Sequence, residues 1–551
     1  MSQRKRLKLD NGDIQKPKAN STNLFAPFRA LGIVSTKVPF AYQLRTSKGS
    51  AARPSLVIVT ATGKQSWALW SEDALHLKMV SERFAANEAE EITCIDTYQD
   101  LVYASTSSSI HIFKRGKIVG RLLGPLKSNI SQFIVLGIQI IALNSDGSEM
   151  YIWTTDTMGK FGNLDFLVLG LKEMYAELYS TITFPSGFVA TTIQHPATYV
   201  NKVVIGSQTG SLAIYNIQTG LVHPTYRWKK NSYLAHCFYP RRRTLIHTFL
   251  SKDILPQSKR LGSITAIEQS PEIDILAIGH SSGVISLFDI RTSHQLMQII
   301  IPSSRPNSKP ESITSISFRT DNVQHLLAAS TTTGLISVFD LDSGPDQTLQ
   351  PGRLVHSIKA HSDSVSKIAW IQGQPLLISS SGDNSFKQWF FDQATGPRLL
   401  KSRQGHQRPV SKVRYYGNDG KAILSCSEDA LRYTSVVRDS RSTALSTSQT
   451  EVPLVDKMAW NTAKRLEWDD LITISHGEKI ARTWSVQNKK LGKHVFDLGS
   501  VNSSRKKERE DLGLAKVKIQ MDFVKEYRLM KLRLSKYQLV AILHLLVIHQ
   551  V

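Results

Sequence analysis

Eight short segments of the 551-residue chain end alike: Ala68-Leu69-Trp70-Ser71, Ile112-Phe113-Lys114, Tyr151-Ile152-Trp153-Thr154, Ile214-Tyr215-Asn216-Ile217, Leu287-Phe288-Asp289-Ile290, Val338-Phe339-Asp340-Leu341, Trp389-Phe390-Phe391-Asp392 and Arg482-Thr483-Trp484-Ser485. Each closes an aliphatic-aromatic run on a polar residue and follows a turn of small residues. A supersecondary unit copied this often cannot bury its apolar face alone and must stack on its neighbours. The copies read as blades of an all-β propeller.

The clearest copy runs through Ser364-Val365-Ser366-Lys367-Ile368-Ala369-Trp370, then Pro375-Leu376-Leu377-Ile378-Ser379, Gly382-Asp383-Asn384 and Phe386-Lys387-Gln388-Trp389. Apolar residues alternate in its first and third runs, the period of a strand with two unlike faces. The second run is continuously apolar, as suits a strand covered on both sides. Gly382-Asp383-Asn384 supplies residues that accept positive φ at a hairpin. Ser263 to Ile290 and Ser312 to Leu341 repeat the pattern, at spacings of roughly 50 residues against the ~40–45 of ordinary WD repeats. Longer loops between blades account for the excess.

This copy also carries a polar set able to lock a blade. His361 precedes the first strand, Ser379 or Ser381 lies on the second, Asp383 occupies the turn and Trp389 stands on the third. A histidine can bridge the carboxylate and a hydroxyl while the hydroxyl receives the indole N–H, so that buried donors find acceptors. Ser, His and Asp also suggest a hydrolase triad, but the indole partner and the blade spacing favour a structural role. The next copy has His406 and Asp429, with Ser435 expected where Trp would stand.

With 41% hydrophobic and 8% aromatic residues the chain is folded rather than mostly disordered. Its three cysteines, Cys94, Cys237 and Cys426, lie far apart without a Cys-x-x-Cys pair, which fits a reducing compartment and no cysteine zinc site. The start is basic and lacks the apolar segment of a signal peptide. The apolar run Leu539 to Ile548 is shorter than the ~20 residues that span a bilayer, so no membrane association is expected.

The net charge of +23 is uneven: residues 1–54 carry +9 and residues 500–551 carry +6, leaving +8 on the rest. Basic ends of this kind contact polyphosphate, because neutralising phosphates releases counterions. Arg4, Lys5, Arg6 and Lys8 form a cluster that reads equally as an import signal or an RNA contact.

Nine blade-like units start near residues 55, 92, 131, 185, 263, 313, 364, 410 and 455. Single rings typically hold four to eight blades. The expected organisation is therefore a basic disordered tail over 1–23, a first WD-repeat ring of about seven blades over 24–400, the start of a second, incomplete ring over 401–498, and a basic helical or disordered tail over 499–551. An incomplete ring leaves an edge unpaired, so either a partner covers it or the sequence is cut short. An atypical insert over about 228–260, with Arg241-Arg242-Arg243, breaks the spacing as a basic RNA-binding loop or as an accident in assigning the coding sequence.

Enzyme signatures are weak. Gly279-His280-Ser281-Ser282-Gly283 matches a nucleophile elbow, which requires a following helix, but Val284-Ile285-Ser286-Leu287-Phe288 reads as a strand. Neither a phosphate-binding loop nor a His-Glu-x-x-His helix occurs. No catalytic, cofactor-binding or metal residue is assigned, and no cofactor or small-molecule substrate is expected.

Four stretches go beyond generic repeats: Leu24-Phe25-Ala26-Pro27-Phe28-Arg29-Ala30-Leu31-Gly32, Ile313 to Asp321, Gly382-Asp383-Asn384-Ser385 with Arg398-Leu399-Leu400, and Gly405-His406 leading to Val413-Arg414-Tyr415-Tyr416-Gly417. Over residues 24 to 498 the chain resembles the family of WD repeat-containing protein 36, also called small nucleolar RNA-associated protein 21. The resemblance implies a non-catalytic scaffold of the nucleolar small-subunit processome. Its implied partners are other WD-repeat subunits, precursor rRNA and small nucleolar RNA. It also implies a completed second propeller and a C-terminal helical domain, neither visible in this sequence. The competing reading is a cytoplasmic WD-repeat adaptor for ubiquitin ligation or trafficking.

Overall fold

The computed structural model describes residues 31–45, 55–71, 75–83, 90–122, 128–154, 174–217 without 177 and 200, 245–249, 261–302 without 273, 311–342 without 322, 351–391, 396–437, 441–446 and 454–497 without 463–467 and 479. The basic cluster Arg4, Lys5, Arg6 and Lys8, both expected tails, Cys237 and Arg241-Arg242-Arg243 lie outside these residues.

Every regular element among the described residues is a strand, and the strands form nine antiparallel sheets in sequence order. We number these blades one to nine: Ala41–Val80, Cys94–Leu122, Ile130–Thr183, Ala190–Phe249, Ile264–Ile300, Ile313–Lys359, Val365–Gln404, Val410–Ala444 and Val455–Asp497. Sequential strands pair as hairpins, which needs only short turns. Asn384 (φ 57°) and Gly334 (φ 90°) supply the left-handed residues at two of them. The innermost strands of blades four to nine share one irregularity after their first residue, as between Val365 and Lys367. Such a bulge increases twist and re-aims the side chains that follow.

Blades one to seven close a ring. Each adjoining pair shares one apolar cluster, and a seventh cluster joins Ala369, Leu376, Ile378 and Phe386 of blade seven to Leu56, Ile58 and Trp70 of blade one, with Phe40 between. The second strands read as continuous apolar or small runs because they are buried on both faces, as in Leu376–Ser381. Blades eight and nine share a separate cluster containing Leu424, Leu431, Met458 and Trp484. They form the beginning of a second array.

Four expectations need adjustment. The first blade begins at Ala41–Arg45 rather than near 55, where its second strand starts. Ala-Tyr-Gln-Leu-Arg alternates too weakly to announce itself. The expected boundary at 400 cuts Arg398–Gln404, the outer strand of blade seven, so ring one runs through 404. Within the atypical insert, Leu245–Phe249 pairs with Leu212–Asn216 as the outer strand of blade four. Met174–Ala176, which carried no sequence signal, pairs in parallel with Lys117–Leu122 and gives blade two a fifth strand.

Candidate interaction surface

In blade seven the histidine entering the sheet, the hydroxyl of its second strand, the turn carboxylate and the third-strand indole meet. The side chains of His361, Ser379 and Asp383 are buried, at 2%, 0% and 4% exposure, and Trp389 is 9% exposed. Trp389 Nε1 donates to Ser379 Oγ at 3.0 Å, and Ser379 Oγ stands 2.8 Å from His361 Nε2. His361 Nδ1 faces Asp383 Oδ2 at 3.2 Å. Burial holds His361 below its ordinary pKa against the pull of Asp383. A neutral ring then accepts the Ser379 proton at Nε2 and donates Nδ1–H to the carboxylate.

Burial raises the Asp383 pKa, but hydrogen bonds from His361, Ser385 and Ser362 outweigh it and hold the carboxyl well below the usual range. Ser385 Oγ donates to Asp383 Oδ1 at 2.5 Å and also approaches His361 Nδ1 at 2.8 Å. Ser385 was missed in the sequence, although its place two residues after an Asp in a tight turn is where an Asx turn puts a partner. Ser381 takes no part in the chain from His to Trp. Its hydroxyl donates to the carbonyl of Ser364 at 2.8 Å and accepts the N–H of Asp383.

The connectivity Ser379-His361-Asp383 is that of a hydrolase triad, yet burial decides its use. A nucleophile must reach its substrate, whereas Ser379 Oγ is enclosed and already receives an indole N–H. Ser281 sits in a turn followed by the strand Val284–Asp289, without the helix an elbow needs.

The indole–hydroxyl pair recurs where the sequence gave no histidine. Trp70 donates to Thr60 and Trp484 to Thr473, each at 2.8 Å. In blade eight, His406 Nε2 meets Ser425 at 2.7 Å and its Nδ1 lies 3.5 Å from Asp429. The residue in the Trp place there is Thr434 rather than Ser435: Thr434 pairs with Ile423 as Trp389 pairs with Leu377. A short third strand hid this register.

The segment before blade one ties the ring shut. Asn384 Oδ1 accepts the N–H of Val34 at 2.7 Å and of Ser35 at 3.3 Å, while its Nδ2 donates to the carbonyls of Gly32 and His406, both at 3.0 Å. Thr60 Oγ1 donates to the Val34 carbonyl at 2.7 Å, so a backbone group replaces the histidine in blade one. Ser366 donates to Thr36 O, and Arg403 Nε to Leu75 O. One asparagine therefore joins the leading segment, the last blade of the ring and the approach to blade eight.

Two surfaces result. Along the central axis, Lys367 lies 5.6 Å from the Phe40 ring and 5.8 Å from the Tyr42 ring. Burial pushes Glu268 up to about 7 and raises Asp96, with Lys367 opposing both. Glu268, Asp96 and Lys367 stand on blades five, two and seven, so part of this coupling crosses the channel. The second surface is a groove of about 640 Å³ between blade seven and the front of blade eight, lined by Leu31 to Val34, Arg403, Arg408, Val413 and Arg432.

Neither surface presents a metal site: the described residues contain no group of three or more His, Cys, Asp or Glu able to hold an ion. Burial pushes the thiols of Cys94 and Cys426 up to about 11 and about 12, away from the reactive thiolate. No helix among the described residues is long and apolar enough to cross a membrane.

Residues 58–392, more than half of the chain, match the family described as the WDR36/Utp21 first beta-propeller. U3 small nucleolar RNA-associated protein 21 homolog of Schizosaccharomyces pombe is 28% identical over 501 residues, covering 88% of this chain and 48% of that protein. U3 small nucleolar RNA-associated protein 21 of Saccharomyces cerevisiae is 28% identical over 512 residues, at 88% and 47% coverage. Human WD repeat-containing protein 36 is 28% identical over 494 residues, at 86% and 47% coverage. The chain thus spans about half the length of the curated relatives it matches.

Proposed function

Because the chain belongs to the WDR36/Utp21 family of WD-repeat propellers, we propose that it is a non-catalytic scaffold of the nucleolar small-subunit processome. In this reading it supports precursor rRNA processing by holding other WD-repeat subunits, precursor rRNA and small nucleolar RNA. The match over residues 58–392 carries the proposal, since it coincides with most of the seven-blade ring. Two relatives of similar extent are named for association with U3 small nucleolar RNA.

The physical features agree with assembly rather than chemistry. A ring closed by side-chain and backbone hydrogen bonds presents loops on several faces with little loss of order on binding. A net charge of +23 favours contact with a polyphosphate. The blade network serves as a lock: its groups satisfy one another and leave none for a substrate.

Tagged full chain purified from nucleolar extract is expected to bring down U3 small nucleolar RNA and precursor rRNA, and to concentrate in nucleoli. A diffuse cytoplasmic distribution with neither RNA recovered would replace this reading by the adaptor alternative.

A further inference from the structure

The front of blade eight is built for covering and has none among the described residues. Val410, Val413 and Tyr415 on its innermost strand are 44%, 62% and 63% exposed. Their counterparts in blade seven, Val365, Ile368 and Trp370, are 0%, 1% and 2% exposed because blade six packs on them. Val413 and Tyr415 stand two residues apart on a strand and so share one face. Their side chains border the groove between blades seven and eight, into which the chain leads at Leu31.

We propose that residues 24–30, Leu24-Phe25-Ala26-Pro27-Phe28-Arg29-Ala30, cross this groove and cover the front of blade eight. The direction of the chain is fixed on the groove side: Asn384 pins Gly32, Val34 and Ser35, so the preceding residues emerge beside Val410 and Val413. Seven extended residues reach about 23 Å, enough to cross strands spaced about 4.8 Å apart. The segment carries Leu24, Phe25 and Phe28, large apolar groups matched to an apolar face, and a single charge at Arg29. The leading segment would then join the two arrays of blades as well as closing the first.

The test is intramolecular photo-crosslinking in the full chain with Tyr415→p-benzoylphenylalanine, a mild change at an exposed aromatic. An adduct within the monomer that maps to residues 24–30 is expected. An adduct to a second copy, to another segment, or no adduct overturns the proposal. Hydrogen exchange provides a second reading: Phe25→Ser/Phe28→Ser should speed exchange of the Val410–Tyr416 amides several-fold while leaving Val365–Trp370 unchanged. Equal exchange of Val410–Tyr416 in both proteins also overturns it.

Discussion

Asn384 accepts the backbone N–H of Val34 at 2.7 Å across 350 residues of sequence, and in doing so converts a row of blades into a ring. The left-handed φ of 57° at Asn384 aims its amide at the segment entering blade one. An asparagine accepts that conformation more readily than most residues and carries both a donor and an acceptor to use there. Asn384→Gly keeps the backbone but loses the four hydrogen bonds, and should cost about 2–4 kcal/mol in urea unfolding. Asn384→Ala should cost more, because strain is added. Equal losses below about 0.5 kcal/mol would show that closure depends on the apolar cluster alone.

Gly405 sits against the same knot, and a Cβ there would overlap Asn384 Nδ2 and the Gly32 carbonyl. Both neighbours are fixed by hydrogen bonds, so neither can move cheaply. Gly405→Ala is therefore expected to destabilise by about 2 kcal/mol or more, in the range of overpacked cores. If unfolding in urea shows no change, the knot is looser than its geometry implies.

The lock within a blade makes a parallel forecast. Thr60→Val removes the acceptor for Trp70 and the donor to Val34 O while keeping the volume, leaving two buried groups unpaired. Each such group costs about 1–3 kcal/mol. The change should lower the melting temperature and, by releasing Val34, raise proteolytic sensitivity at the ring seam. Trp389→Phe in blade seven should cost less, since Ser379 keeps His361 as partner.

How much of this was legible follows the range of each interaction. The blades were readable because alternation and turn residues act within a few positions, and in blade seven His361, Ser379, Asp383 and Trp389 stand at repeat spacings. Ser385 was locally visible but not sought. The Asn384–Val34 contact left no local trace, since nothing near either residue encodes the other. Likewise Glu268, Asp96 and Lys367 become neighbours only when the ring closes. Thr434 was misplaced by one residue because a strand's register is set by pairing that the sequence does not spell out.

Acid should weaken the fold through buried neutral histidines. Burial lowers His111 and His280 from an ordinary 6.5 to about 4, and Arg121 adds to the effect at His111. A depressed folded pKa means that the stabilisation is full above 6.5 and is lost as pH falls toward 4, while the unfolded chain takes protons the folded one refuses. Each histidine contributes at most about 3 kcal/mol by this route. The melting temperature should drop between pH 6.5 and 4, and His111→Gln/His280→Gln should flatten that drop. An unchanged slope in the double variant would place the acid sensitivity elsewhere.

Glu268 acts in the opposite sense at the other end of the pH range. Its carboxyl is raised from 4.5 to about 7 by burial, despite the opposing charge of Lys367. A raised acid is penalised once ionised, so the contribution is fully favourable below 4.5 and is lost as pH rises through 7. Glu268→Gln removes the ionisation and should match the parent near pH 4.5 yet exceed it at pH 8. The gain is on the order of 1 kcal/mol, because water in the channel screens a partly open carboxylate. Lys367→Ala should act the other way, deepening the alkaline loss by removing the opposing charge. Melting curves at pH 4.5 and pH 8 for both variants decide the matter: if Glu268→Gln is destabilising at pH 8, the carboxylate is held by a favourable partner and the channel is not the source of its shift.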